Sequence, residues 1–291
     1  MRRTNDAFRW LGTPCDGPRG QRWCSALAIL ALATCAFGTC TPARAEKVSF
    51  DAPYKGRTIT IEGELTKPSG VGPFPVLIGL HACDGPTNYS TNFWMMTAAA
   101  QGYATYLPNS FGPRGYVDVC PHPGWVTADE RAQDALLAAS VLAARPDIRR
   151  DKIAILGVSH GGGPAVRISR DDSSLLEPRE RLAAAGGKIV AIVSVYGSCV
   201  PDVKRPVVVP LLILIGANDD WTLPKPCEAF ASEGTNPALV QIHVYPGATH
   251  SFDNASLVTA RHANGHWMVY DASATADARQ RVVEFLGGLM R

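Results

Sequence analysis

The sequence predicts one α/β domain built on a mostly parallel central sheet with helices on both faces. Apolar runs alternate with helical segments from about residue 75 to the C-terminus, which is the pattern of strand–helix–strand units. Most of these runs are continuous stretches of Val, Ile and Leu, as expected of interior parallel strands that are buried on both faces. The 291 residues are enough for a single such domain with a sizeable core.

The strands follow from these runs. Residues 47–66 alternate apolar and polar side chains, which predicts an antiparallel hairpin at the edge of the sheet. Six further strands are expected at residues 76–80, 103–107, 153–158, 189–196, 211–215 and 240–245.

Three helices can be assigned from their start signals and periodicity. The first is expected over residues 90–101, with Ser90 or Thr91 as its N-cap and Gly102 as its stop. The second begins with the capping-box spacing of Thr127 and Glu130 and runs to about residue 145, before a proline. Residues 275–289 close the chain as an amphipathic helix.

The first 45 residues have the pattern of a secretory signal peptide. An uncharged apolar run at 24–38 follows several arginines, and Ala43-Arg44-Ala45 is a cleavage signal of the A-x-A type. The run is shorter than the roughly 20 apolar residues of a membrane span. We therefore expect cleavage near Ala45, release as a secreted or periplasmic protein, and one mature domain over residues 46–291. A retained signal anchor and a lipoprotein are the alternatives.

Removal of the predicted signal peptide, the leader, changes the charge balance of the chain. Residues 1–45 hold six of the 28 basic and two of the 26 acidic residues, which leaves 22 and 24 in the mature chain. A net charge near −2 gives no electrostatic reason to expect a nucleic acid or an anionic membrane as partner.

Four cysteines remain after removal of the leader: Cys83, Cys120, Cys199 and Cys227. An even number in an oxidising compartment permits two disulfides in three connectivities, with free buried thiols as the alternative. No C-x-x-C pair is present, and the H-x-x-x-H pair, His262 and His266, brackets an Asn-Gly turn signal, so no metal site is predicted.

The segment Gly157-Val-Ser-His-Gly161 matches the G-x-S-x-G pattern of a nucleophile elbow. It follows an apolar run and precedes a candidate helix, which is the strand–turn–helix setting that the pattern requires. Glycines without a Cβ allow the sharp turn to close. Ser159 is therefore the predicted nucleophile, and the backbone amide of His160 is a predicted oxyanion donor.

A serine nucleophile needs a base and an orienting acid, which follow it in chain order in this class of fold. Asp219 comes directly after the strand at 211–215, and His250 lies in the loop after the strand at 240–245. We expect Asp219 to hold the imidazole of His250 in the tautomer that accepts the serine proton.

Alternatives exist for both roles. Asp220 adjoins Asp219 and is the second candidate for the acid. His262 and His266 are the alternative candidates for the base. His243 falls inside a strand, and the His160 side chain is expected to line the pocket. A second oxyanion donor is expected from the backbone of Cys83, in the loop after the strand at 76–80; an ordinary turn residue is the alternative there.

Together these segments resemble the dienelactone hydrolase family of α/β-hydrolases. The motifs that carry the resemblance are LHACDGP at 80–86, NSFGPRG at 109–115, GVSHGG at 157–162, GANDDWT at 216–222 and YPGATHSF at 245–252. The resemblance implies a single domain without a large lid, a catalytic triad without a cofactor, and hydrolysis of esters or lactones. The founding members use a cysteine nucleophile, so Ser159 places this chain with a serine branch.

The resemblance also implies positions for other residues. It places Cys120 close to the loop of Cys83, so we expect disulfides Cys83–Cys120 and Cys199–Cys227 at the rim of the site. His81 and Arg114 are candidate substrate-binding residues, with a structural ion pair as the alternative for Arg114.

The predicted function is thus an exported serine hydrolase that cleaves a small carboxylic ester or lactone through an acyl-enzyme. A serine peptidase of the same fold is one alternative. A degenerate hydrolase retained for binding is the other.

Overall fold

The computed structural model describes residues 44–199 and 205–291. Eight strands form one sheet in the spatial order β1-β2-β4-β3-β5-β6-β7-β8. These strands are β1 Arg44–Tyr54, β2 Arg57–Lys67, β3 Phe74–Leu80, β4 Ala104–Pro108, β5 Ile148–Val158, β6 Ile189–Val195, β7 Leu211–Gly216 and β8 Val240–Tyr245. A separate small hairpin consists of β9 Arg261–Ala263 and β10 His266–Met268.

The direction of the strands matches the sequence pattern. The alternating segment forms the antiparallel hairpin β1–β2 at one edge, and β2 pairs antiparallel with β4. All other neighbours in the large sheet are parallel. The predicted α/β fold with a mostly parallel sheet is therefore confirmed, and within the described ranges no large lid covers it.

In the described ranges, six α-helices connect and cover the strands. They are α1 Tyr89–Ala99, α2 Ala128–Ala143, α3 Gly162–Ile168, α4 Leu176–Ala184, α5 Pro224–Glu233 and α6 Ala272–Met290. Helix α1 contacts α6, whereas α2 contacts α3 and α4, and members of both groups pack on β5. The residues of β5 from Ile153 to Val158 are consequently all buried, which explains why this strand is a continuous apolar run.

The helix starts show one correction. Thr127 and Glu130 form the expected capping box of α2. For α1, however, the cap is Asn88, whose side chain accepts a hydrogen bond from the Thr91 amide, and the prediction of Ser90 or Thr91 was wrong. The Ser90 hydroxyl donates to Asp253, and the Thr91 hydroxyl accepts from the Ala82 amide and donates to the Asn88 side chain.

The signal peptide predicted for residues 1–45 lies almost wholly outside the described residues. Its last two positions, Arg44 and Ala45, are the first residues of β1, where they pair with Lys67 and Thr66. None of the helices in the described ranges is long and apolar enough to cross a membrane.

Candidate active site

Ser159 stands at the end of β5 on a sharp turn. Its φ is +52°, a left-handed backbone conformation that a residue with a side chain rarely adopts. The turn is held closed by glycines: a Cβ on Gly157 would lie 2.0 Å from the Gly161 carbonyl oxygen, and one on Gly161 would lie 2.0 Å from the Leu80 carbonyl oxygen. The strained serine and its glycine neighbours have the geometry of a nucleophile elbow.

Three side chains meet at the carboxyl end of the sheet. Ser159 Oγ lies 2.8 Å from Nε2 of His250, and Nδ1 of His250 lies 2.8 Å from Oδ2 of Asp219. All three side chains are buried. Asp219 follows β7 and His250 follows β8, and the ends of parallel strands gather at one edge of a sheet. The structure therefore brings together the nucleophile, base and acid predicted from the sequence.

The carboxylate of Asp219 is held from two sides. Its Oδ1 accepts hydrogen bonds from the amides of Trp221 and Thr222 at 3.0 and 2.8 Å. Its Oδ2 faces His250 and also lies 2.8 Å from the hydroxyl of Thr222. That hydroxyl is 2.9 Å from the Tyr196 carbonyl oxygen as well. Thr222 thus fixes the orientation of the acid, a role that sequence reasoning missed although the residue lies inside the GANDDWT motif.

Two aromatic rings enclose the imidazole of His250. The ring of Tyr196 contacts it edge-on at 4.8 Å, and the ring of Trp221 lies 5.0 Å away. Tyr196 donates its hydroxyl proton to Asp253, three residues after His250, at 2.8 Å. Burial raises the pKa of Asp253, and Ser90 and Trp94 also donate to its carboxylate. This network anchors the loop that carries His250.

The alternative residues lie away from this chain of hydrogen bonds. Asp220 is more exposed and faces Nδ1 of His266 at 3.3 Å. His243 lies on β8 beside Asp277, with a distance of 3.7 Å between Nε2 and the nearest carboxylate oxygen. His262 stacks edge-on with Trp267 in the β9–β10 hairpin.

The two predicted oxyanion donors flank the serine. His160 follows Ser159 directly, and Cys83 lies in the loop after β3 and lines the same cavity as Ser159. The amide of Ala82, next to Cys83, already donates to Thr91 at 3.3 Å. The backbone amide of His160, at the start of a helical segment, and that of Cys83, in the loop across the cavity, are of the kind that stabilises a developing oxyanion.

The side chain of His160 is fixed. Its Nδ1 lies 2.7 Å from Nη1 of Arg131, and its Nε2 lies 2.8 Å from the carbonyl oxygen of Pro123. Burial, reinforced by the arginine, lowers the pKa of His160 to about 4. The ring is therefore neutral at neutral pH, with its proton on Nε2.

Two expectations about substrate contacts are corrected. The guanidinium of Arg114 is buried and forms a two-pronged ion pair with Asp134 at 2.8 and 2.9 Å, so it has the structural role and is not open to a substrate. The side chain of His81 is fully buried and packs edge-on against Phe111. Neither residue lines the cavity at Ser159.

A cavity of about 190 Å³ opens onto Ser159 and His250. Its floor and rim include Cys83, Tyr196 and Trp221, and the β9–β10 hairpin contributes Arg261 and Asn264 to one wall. The hairpin adjoins the loop that carries His250 through a bridge between His250 and Met268. The turn at Asn264 and Gly265 has positive φ at both positions, as an Asn-Gly hairpin turn requires.

The four cysteines that follow residue 45 form two disulfides, Cys83–Cys120 and Cys199–Cys227, which are the pairs expected from the resemblance. Both members of the first pair line the cavity, so this bond ties the loop of the predicted oxyanion donor to the segment after β4. The second joins the segment after β6 to α5. In the described part of the chain, no group of three or more His, Cys, Asp or Glu side chains is arranged to hold a metal ion.

Comparison with solved structures supports the fold. A dienelactone hydrolase from Anabaena variabilis is 17% identical with a TM-score of 0.54, and the match covers 85% of this chain and 99% of that one. A dienelactone hydrolase-like promiscuous phosphotriesterase from metagenomic libraries is 20% identical with a TM-score of 0.61, covering 86% and 100%. A puromycin-hydrolyzing peptidase of Mycobacterium tuberculosis is 16% identical with a TM-score of 0.59, covering 85% of this chain but 39% of the peptidase.

No curated protein sequence matches the chain. The model of the dienelactone hydrolase family, in contrast, matches residues 61–290. This range includes every strand from β3 to β10 and all three residues that meet at the end of the sheet. The chain is a hydrolase by this match, and it belongs to the dienelactone hydrolase family.

Proposed function

We propose that the protein is an exported serine hydrolase that cleaves a small carboxylic ester or lactone through an acyl-enzyme. The observation that carries the proposal is the unbroken hydrogen-bond chain from Ser159 through His250 to Asp219, with two distances of 2.8 Å. A buried serine on a strained elbow beside an imidazole nitrogen is the arrangement that activates a hydroxyl for acyl transfer.

The proposed reaction has two halves. The substrate carbonyl enters the cavity, Ser159 Oγ attacks its carbon, and His250 Nε2 takes the hydroxyl proton. The carbonyl oxygen becomes an oxyanion that accepts hydrogen bonds from the amides of His160 and Cys83. When the tetrahedral intermediate collapses, the carbon–oxygen bond to the alcohol breaks and the imidazolium gives that alcohol its proton. Water then repeats the sequence on the acyl-enzyme and releases the acid.

The size of the cavity supports a small substrate. A volume of about 190 Å³ lies below the roughly 300–1,000 Å³ of pockets that enclose drug-sized ligands. In a lactone the leaving alcohol stays attached to the acyl group, so the whole product leaves the serine only on hydrolysis. The site treats both substrate types by the same steps, and a screen of ester chain lengths and lactone ring sizes would rank them.

Export is part of the proposal. Residues 1–45 would act as the signal peptide and residues 46–291 as the mature domain, in a secreted or periplasmic location. Two disulfides on the described residues are compatible with an oxidising compartment. Cleavage after Ala45 would remove only the first two residues of β1. N-terminal sequencing of protein from a periplasmic or culture fraction tests the boundary, and a start before the apolar run at 24–38 would contradict it.

A peptidase is the second candidate, favoured by the structural similarity to the mycobacterial peptidase. That similarity reaches only 39% of the peptidase chain, so the part of the peptidase beyond the shared domain has no counterpart in the match. A degenerate hydrolase used for binding is the third, and the intact hydrogen-bond chain argues against it.

Turnover of short-chain p-nitrophenyl esters tests the proposal directly. Ser159→Ala is expected to lower kcat by at least about 10,000-fold and to abolish labelling by a fluorophosphonate probe. Ser140→Ala is the matched control, because Ser140 lies in α2 and its hydroxyl donates to the Leu136 carbonyl; it should keep both activities. Equal turnover in Ser159→Ala and the wild type would refute the proposal, and a wild type inert to ester and probe would favour the binding role. Cleavage of aminoacyl amides faster than esters would favour the peptidase.

A further inference from the structure

Arg131 is a fully buried arginine beside the candidate active site. It lies in the first half of α2, and its guanidinium has two polar contacts. Nη1 donates to Nδ1 of His160, and Nη2 donates to the carbonyl oxygen of His81, both at 2.7 Å. The guanidinium also lies 5.0 Å from the centre of the Phe111 ring. Within residues 44–199 and 205–291, none of its hydrogen bonds reaches a carboxylate.

An arginine in this position is unusual because buried charges are normally paired. Asp134, three residues further along the helix, is a buried acid, but both of its oxygens accept hydrogen bonds from Arg114 at 2.8 and 2.9 Å. The three buried side chains therefore carry one net positive charge. Burial lowers the pKa of Arg131 to about 9, while Asp134 opposes this effect, so the guanidinium is still a cation at neutral pH. A buried guanidinium that forms no hydrogen bond to a carboxylate lowers stability, and a functional role would explain why Arg131 occupies this position.

The two contacts of Arg131 fall on the two segments that supply the predicted oxyanion donors. His160 follows Ser159 on the elbow, and His81 precedes Cys83 by two residues in the facing loop. The ring of His160 is fixed at its other nitrogen by the Pro123 carbonyl oxygen at 2.8 Å. Phe111 packs edge-on against both histidine rings, with centroid distances of 4.4 Å to His81 and 5.7 Å to His160. One guanidinium thus joins the two segments across a tightly packed aromatic cluster.

We propose that Arg131 is a positioning residue of the oxyanion hole, which sets the spacing of the Cys83 and His160 amides and places a positive charge behind them. This inference rests on the proposed acyl-transfer function. The substrate carbonyl is neutral, and negative charge develops on its oxygen only in the tetrahedral intermediate. Donor spacing and a fixed positive charge therefore act mainly on the transition state. Loss of Arg131 should lower kcat much more than it changes KM.

The test compares Arg131→Met and Arg131→Lys with a matched control, Arg179→Met. Arg179 also donates from one guanidinium to two backbone carbonyls, those of Ile168 and Arg170 at 2.7 and 2.8 Å, and it does not line the cavity. The readouts are kcat and KM with p-nitrophenyl acetate, the inhibition constant of a boronic acid whose boron becomes a tetrahedral anion on Ser159, and the unfolding temperature.

Arg131→Met is expected to lower kcat by about 100-fold, the effect of losing one oxyanion donor, with KM changed by less than about 3-fold. The boronic acid should bind more weakly by a similar factor. Arg131→Lys keeps the charge but not the two-pronged geometry, so its loss should be intermediate. Arg179→Met should lower the unfolding temperature and leave kcat and the inhibition constant near the wild-type values.

The inference is overturned if kcat and boronic acid binding fall no further in the Arg131 variants than in Arg179→Met, or if the loss appears in KM alone. If Arg131→Met does not fold, Arg131→Lys decides on the same readouts. Failure of the proposed function would look different, because the wild type itself would then neither turn over the ester nor react with a fluorophosphonate.

Discussion

Replacing Asp219 with asparagine should invert the tautomer of the His250 imidazole, the proposed base. Oδ1 of Asp219 accepts two backbone hydrogen bonds, from Trp221 and Thr222, so the carbonyl oxygen of an asparagine must occupy that position. Its amide nitrogen then takes the place of Oδ2, 2.8 Å from Nδ1 of His250. An amide nitrogen only donates, so Nδ1 must become the acceptor and the ring proton moves to Nε2. The imidazole can then no longer accept the proton of Ser159.

The size of this effect can be set from the same geometry. The shape of the site is preserved, and only the direction of one hydrogen bond changes. A wrong tautomer in a serine triad lowers kcat by about 10,000-fold, which corresponds to about 5.5 kcal/mol of transition-state stabilisation. KM and the unfolding temperature should change little.

The assay is steady-state hydrolysis of a short-chain p-nitrophenyl ester by Asp219→Asn and by the matched variant Asp220→Asn. Asp220 is partly exposed and its carboxylate faces His266 at 3.3 Å, away from His250, so its loss should change kcat by less than about 3-fold. Nitrogen chemical shifts of His250 provide an independent readout of the tautomer. A loss below 10-fold in Asp219→Asn, or a larger loss in Asp220→Asn, would refute the reasoning.

Three further predictions concern the surroundings of the site. Replacing Cys83 and Cys120 together with serine should lower the free energy of unfolding by about 4 kcal/mol, the chain-entropy value for their separation of 37 residues. The double variant should also lower kcat more than it raises KM, and an unchanged kcat would show that this disulfide does not position the loop of the proposed oxyanion donor. Arg114→Met removes the ion-pair partner of the buried Asp134, so denaturant unfolding should show that the free energy of unfolding falls by about 3–5 kcal/mol. A rise in KM that is confined to esters bearing a carboxylate would instead indicate that Arg114 binds substrate. Burial lowers the pKa of His160 from 6.5 to about 4, so as the pH falls the unfolded chain is protonated at this histidine before the folded protein is. The free energy of unfolding should therefore fall as the pH drops from about 6.5 to about 4. Urea titrations of His160→Gln should show a smaller pH dependence of stability over this range, and a pH dependence equal to that of the wild type would contradict the prediction.

The sheet could be predicted because its signals are local. Interior parallel strands are buried on both faces, and β6 and β7 accordingly read as unbroken apolar runs. Helices α4 and α5 were not predicted. The buried residues of α4 are Pro178 and Leu182, which is too few for a clear apolar stripe. Helix α5 has two prolines among its first three residues, and prolines in sequence are as typical of a loop as of a helix start.

The triad could also be predicted, since each member follows a strand and the strand ends converge. The supporting residues could not, because their roles depend on contacts between distant segments. Tyr196 meets Asp253 across 57 residues, and Arg131 meets His81 across 50. For the same reason the role of Arg114 was predicted incorrectly. Its motif suggested a contact with substrate, whereas its partner, Asp134, lies 20 residues further on within α2.

Trapping the acyl-enzyme tests the central claim most directly. Wild-type protein would be mixed with p-nitrophenyl acetate, quenched in acid within the first turnovers, and analysed by intact mass and peptide mapping. The account predicts one acetyl group per chain, located on Ser159, together with a burst of p-nitrophenol of matching size. The Ser159→Ala variant should show neither. Steady turnover without a covalent adduct, or an acetyl group carried on a different side chain in the active wild type, would contradict it.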